Sequence, residues 1–178
     1  MTRVLKILLC LILVCTLQTT MVRFIAINGI SPDLIVCWLV VMSETYGTFG
    51  GFCSGAVASM LYDANVGYIM AVNLVVGTAI GYFSTLLVPY FRRVFRKSRI
   101  ASWLAMMLAT LMGCLIKDIV NIGYLFLIGS TLLDLENIPV TLLRLAVSSL
   151  YSVMMILPLG LIRRRIFPDE KKNLKKPD

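Results

Sequence analysis

The chain has 178 residues, 59% of them hydrophobic and only 15% charged, with a mean hydropathy of +0.90. That balance excludes an ordinary soluble domain and predicts an all-α integral membrane protein built as one bundle. A net charge of +8 would suggest nucleic acid in a soluble protein. Here the basic residues lie between apolar runs, so the expected partner of that charge is anionic lipid, with no role for nucleic acid.

A bilayer core of about 30 Å takes roughly 20 apolar helical residues. The first predicted span covers residues 4–22. Its start, MTRVLKILLCLILVCTLQTT, has the charges and apolar run of a signal sequence but no A-x-A-like cleavage site, and Val14 before Cys15 fits a lipoprotein site poorly. It is therefore kept as a span. The five cysteines (Cys10, Cys15, Cys37, Cys53 and Cys114) fall in apolar stretches without CxxC or metal spacing and read as small apolar residues.

Next comes SPDLIVCWLVVMSETYGTFGGFCSGAVASMLYD, residues 31–63, too long for one crossing and barely long enough for two. Further spans are predicted at 67–91, 101–128 and 139–162, followed by a basic cytoplasmic tail at 167–178. All but three of the 17 basic residues gather at 3–6, 92–99 and 163–176, and such clusters remain cytoplasmic. With the first span crossing outward, the chain must then cross an odd number of times between residues 23 and 91. Three crossings fit if residues 33–45 and 47–62 form two short helices that turn near Tyr46. The result is a six-transmembrane-helix bundle with N- and C-termini cytoplasmic and the loop at 129–138, with Asp134 and Glu136, outside.

The three basic residues outside the clusters, Arg23, Lys117 and Arg144, all belong to the apolar part of the chain. This topology gathers them with Asp33, Asp63 and Asp118 in one outer-leaflet layer and leaves Glu44 near the cytoplasmic face. Ionisable groups in a bilayer cost about 2.5 to 3.5 kcal/mol each and normally face the bundle interior in pairs. Asp33 and Asp63 are accordingly expected to pair with Arg23, Lys117 or Arg144. The layer is either a structural ion network or a pocket or docking site that opens outward. Ser31, Pro32 and Asp33 also read as a helix start, with a hydroxyl cap, a proline and an anion at the positive dipole end.

Gly47, Gly51 and Gly55 recur every fourth residue and Ser59 and Asp63 continue the row. Asn73, Gly77, Gly81 and Thr85 form a parallel row on the next span. Small residues at that spacing let helix backbones approach closely in lipid, either within the chain or against another protein, which leaves a homo-oligomer open. Catalysis is not expected: there is no histidine, nucleophile motif, phosphate loop or metal-ligand cluster, and neither cofactor nor metal is called for. Tyr62-Asp63 resembles half of the intramembrane aspartyl protease signature, but the Gly-x-Gly-Asp half is absent.

The order R..AINGISPDL, then GTFGGFCSGAVASMLYD, in a six-span chain of this length resembles the bacterial rod shape-determining protein MreD family. The specific likeness is confined to residues 23–63, where Arg23, Pro32-Asp33, the glycines and Asp63 match. The later half matches in hydropathy alone. The resemblance implies a non-enzymatic scaffold of the cell-elongation (peptidoglycan synthesis) machinery in the bacterial cytoplasmic membrane. Its implied partners are MreC, and with it MreB, RodA and a penicillin-binding transpeptidase. It also implies a fold similar to the substrate-binding subunits of energy-coupling-factor transporters, which supplies the alternative of a vitamin-type binding subunit. Such subunits meet their transport partner through small residues spaced four apart on the first span; ILLCLILVC has no such row, which favours the scaffold.

The topology is checked by single cysteines in a cysteine-free background. An impermeant thiol reagent should label Asn28 or Ser130 in intact cells and reach Ser98 and Asn173 only after the cells are opened. Labelling at Ser98 in intact cells contradicts six crossings.

Overall fold

In the computed structural model the described residues are 3–20, 22–27, 29–66, 70–95, 99–127 and 138–166. The helices are α1 (Arg3–Thr20), the short α2 (Val22–Ile25), α3 (Leu34–Val66), α4 (Met70–Val94), α5 (Arg99–Leu127) and α6 (Ile138–Ile166). Four of them are long and apolar enough to cross a bilayer, over Leu34–Ala64, Val72–Val94, Ile100–Tyr124 and Val140–Arg163. The chain is thus an all-helical, multi-pass membrane protein. Leu5–Thr20 is apolar but shorter. The loop predicted at 129–138 lies almost wholly outside the described residues, and the tail at 167–178 does so entirely.

The 33 residues of α3 do not form one rod. Gly47 interrupts them with φ 70 and ψ −161, non-helical values in the left-handed region that a side chain disfavours. The amine of Lys117 contacts both the Asp33 carboxylate and the Tyr62 ring, the latter at 5.6 Å from its centroid. On a straight helix Asp33 and Tyr62 would stand about 43 Å apart, so the chain reverses at Gly47. Ile35, Val36 and Leu39 of the first arm accordingly share a core with Ala58 of the second. The turn falls one residue beyond the expected Tyr46.

Gly51 and Gly55 lie against Gly81 and Gly77. A Cβ added at Gly51 would come 2.5 Å from the Gly81 carbonyl oxygen, and one at Gly55 would come 2.4 Å from that of Gly77. The two small-residue rows therefore face each other within the chain, with Ser59 and Thr85 at the same seam. Gly47 is a correction: expected in the packing row, it has open space around its Cβ position and serves the turn instead.

The first arm, residues 34–46, is the most buried part of the chain, with Ile35 through Ser43 at 6% exposure or less. It sits at the centre because every other long helix packs on it. Trp38 and Met42 face Val14 of α1, Cys37, Val40 and Val41 face Met106, Ala109 and Ile156 of α5 and α6, and Ile35, Val36 and Leu39 meet Val76 and Ile80 of α4. The long apolar side chains left outside, such as Phe49, Val75, Leu143 and Met154, are what a lipid-facing surface presents.

Gly55→Leu or Gly51→Leu places several methylenes where two backbones touch, and overpacking of that kind typically costs 1 to 3 kcal/mol. Both variants should melt well below wild type in detergent. Unchanged melting in both contradicts the seam.

Candidate functional site: two buried polar clusters

The first cluster, around Asp33, begins with the problem of starting a helix inside the bundle. The first N–H groups of a helix have no intrahelical acceptor, and hydrocarbon offers none. Here side chains from the rest of the bundle supply them. The Asp33 N–H donates to Ser152 Oγ at 2.8 Å, the Leu34 N–H to Gln18 Oε1 at 2.8 Å, and the Val36 N–H to Asp33 Oδ1 at 3.0 Å. Asp33 is thus the cap residue, at the position three before the N–H it accepts. Ser31, expected to provide the capping hydroxyl, instead uses its carbonyl to accept from Ser148 Oγ at 2.7 Å. Gln18 Nε2 donates to the Pro32 carbonyl, and Tyr151 Oη donates to that of Ile25.

The second Asp33 oxygen pairs with the Lys117 ammonium. One carboxylate therefore caps α3 and neutralises the cation of α5, and the two readings of Asp33 as helix start and as ion partner both apply. A cavity of about 20 Å³ lies beside Lys117, lined by Ser59, Tyr62, Asn73 and Gly77 among others. That volume holds about one water molecule.

The other expected members of the layer separate. Asp63 is 1% exposed, but its partner is an amide: Asn73 Nδ2 donates to Oδ1 at 2.7 Å, while Oδ2 has no partner among the described residues. Of the three cations expected there, Lys117 is given to Asp33 and Arg144 is exposed; the amide arrives for a geometric reason, because α3 and α4 are adjacent in sequence and antiparallel, so their ends bring these two residues together. Asp118, one residue beyond Lys117, sits within reach of the Ser149 hydroxyl on α6 and within electrostatic range of both Lys117 and Asp33. Arg144 is exposed on α6 and pairs with no carboxylate among the described residues. It too departs from the expected layer, because its helix face points out of the bundle. The side chain of Arg23 lies outside the described residues.

The second cluster, around Glu44, is the one that sequence reasoning left unassembled. Glu44, with a side chain only 11% exposed, receives Arg92 Nη2 and Ser102 Oγ on Oε1, the latter at 3.0 Å, and Arg163 Nη1 on Oε2 at 2.8 Å. Arg92 Nη2 also donates to Ser102 Oγ at 2.9 Å. Three helices, α4, α5 and α6, are thereby tied to the turn of α3. A signal was present in the sequence: Glu44 is the one acid between the first basic residues and the cluster at 92–99 that the topology assigns to the cytoplasmic end. A lone buried acid beside two basic clusters should be expected to hold members of both.

Removing one member of a desolvated ion pair strands the other and can cost about 3 to 5 kcal/mol. Lys117→Met should therefore destabilise strongly, and Lys117→Met with Asp33→Asn should recover part of the loss, because Asn still caps the helix. Asp33→Ala, which loses cap and charge together, should fall below Asp33→Asn by about 1 kcal/mol in chemical unfolding. Equal effects of Asn and Ala at this position contradict the capping role.

Among the described residues no group of three or more Cys, Asp or Glu side chains is placed to hold a metal ion. Comparison of the chain with protein-family models, with curated proteins and with solved structures returns no match.

Proposed function

We propose that the chain is a non-enzymatic membrane scaffold that crosses the bilayer six times with both termini cytoplasmic, and that it serves the bacterial cell-elongation machinery as a partner of MreC. The likeness of residues 23–63 to the MreD family supplies the machinery and the partner. The observation that carries the scaffold reading is that the interior is spent on itself. Asp33, Lys117, Glu44, Arg92 and Arg163 bind one another, and the glycine rows close on each other. The cavity at the buried lysine takes about one water, whereas sites for small molecules run to roughly 300 to 1,000 Å³. A larger space of about 530 Å³ lies on the outer surface among the exposed side chains of Phe52, Val75, Tyr82 and Phe83 and has no charged group in its lining, so it is the filled interior that favours the scaffold over the vitamin-binding subunit.

The crossing number is supported by the reversal at Gly47. It brings Glu44 to the ends of α4 and α6 that carry basic clusters, and Asp33 to the opposite side of an apolar slab about 17 Å thick at 1.5 Å per residue. Because Asp33 and Asp63 are consumed inside the bundle, they act on a partner by ordering the outer surface and not by touching it.

Purification from native membranes in mild detergent should recover MreC with the protein, and Asp33→Asn should lower that recovery and round the cells. Recovery of an ATPase module and a bound small molecule in place of MreC contradicts the scaffold.

A further inference from the structure

Helix α6 is the least covered of the four long spans, with 22% of its span buried against 33% or more in the others. Its open face carries a repeat. Leu143, Leu150 and Leu157 recur every seventh residue, and Val140, Val147 and Met154 each stand three residues before one of them. All six are at least 41% exposed. Alternate spacing of three and four is how one helix seats its side chains between those of another, and valine at the first position with leucine at the second suits a pair of helices. A lipid tail asks only that the face be apolar.

One charge stands at the edge of this stripe. Arg144, the residue after the first leucine, is exposed and pairs with no carboxylate among the described residues. It precedes Arg163 by about 28 Å along α6 at 1.5 Å per residue, so it lies at the boundary of the hydrocarbon opposite the Glu44 corner. Its counter-charge has to come from whatever covers the stripe. In a symmetric pair of copies the two α6 helices run parallel, and the position facing Arg144 is one heptad earlier on the other helix. That residue is Pro139, so a second copy leaves the guanidinium unmatched there.

We propose that the α6 stripe seats a membrane-spanning helix of a different protein, one that carries a carboxylate at the end meeting Arg144. On the scaffold reading above, on which this rests, that protein is MreC. The two parts of the surface divide the work. The repeat supplies contact along the span but fits equally well after a slip of seven residues, and the charge at one end selects a single register.

The test co-expresses the full chain with full-length MreC. A photo-crosslinking amino acid is placed in turn at Leu150 and Met154 on the stripe, and at Val75 and Phe83 on the exposed face of α4. Recovery of MreC without irradiation is measured alongside. The α6 positions should give an adduct with MreC and the α4 positions should not. Arg144→Glu should lower the α6 adduct about tenfold and Arg144→Gln about fivefold, whereas Arg144→Lys should keep most of it. None of the three should move the thermal midpoint of the isolated chain, because the side chain is exposed and unpaired. MreC that is recovered but crosslinks only from α4, or equally well in Arg144→Glu, overturns the stripe and leaves the scaffold standing. An α6 adduct with a second copy in place of MreC also overturns it. Failure to recover MreC at all overturns the scaffold and the stripe together.

Discussion

A helix that begins inside a packed bundle has to find acceptors for its first N–H groups from its neighbours, and the start of α3 is where this chain solves that problem. The cost of failure is large, because an unsatisfied backbone group in lipid costs several kcal/mol. Gln18, Ser152 and Asp33 itself supply the acceptors, and each comes from a different place in the chain. Helices α1 and α6 are thereby positioned by one short stretch of backbone. The ion pair with Lys117 follows from the same requirement: an aspartate used as a cap at that depth brings a charge with it, and the charge must be matched.

The central arm is short because its upper end is anchored this way. Residues 34–46 span about 20 Å as a helix, less than the hydrocarbon thickness, and the chain must reverse without exposing backbone to lipid. Gly47 makes the reversal in a conformation that a Cβ would strain. The returning arm then packs on α4 through glycines, which bring backbone against backbone. In lipid there is no hydrophobic driving force between helices, so this close dispersion contact and the two polar clusters together hold the hairpin in place.

Much of the architecture was legible in the sequence because hydropathy and charge carry it directly. The long spans, the division of residues 31–63 into two arms and the facing glycine rows all follow from apolar length, basic clustering and four-residue spacing. The pairing of charges was not legible. Asp63 and Asn73 meet because two neighbouring helices are antiparallel, which hydropathy does not report. Arg144 shares a spacing with Ser148 and Ser152, yet the rotation of α6 turns the serines inward and the arginine out. Rotation about a helix axis is set by packing against neighbours, and α6 is apolar nearly all round, so its sequence does not mark an inner face.

Glu44 shows why basic residues at membrane ends should not be read as orientation signals alone. A cluster that merely fixes topology needs nothing more than positive charge on the correct side, and any lysine or arginine would serve. Arg92 and Arg163 do more: each enters a directed hydrogen bond with one oxygen of the same carboxylate. Each of these bonds comes from one nitrogen, as does the bond from Lys117 to Asp33, so what they add to positive charge on one side is a fixed direction and a shared acceptor. Asp33 and Glu44, at opposite ends of one buried arm, thus clamp that arm from both sides, with contacts between them that are apolar apart from the Cys37 thiol, which donates to the Ser152 carbonyl at 3.0 Å.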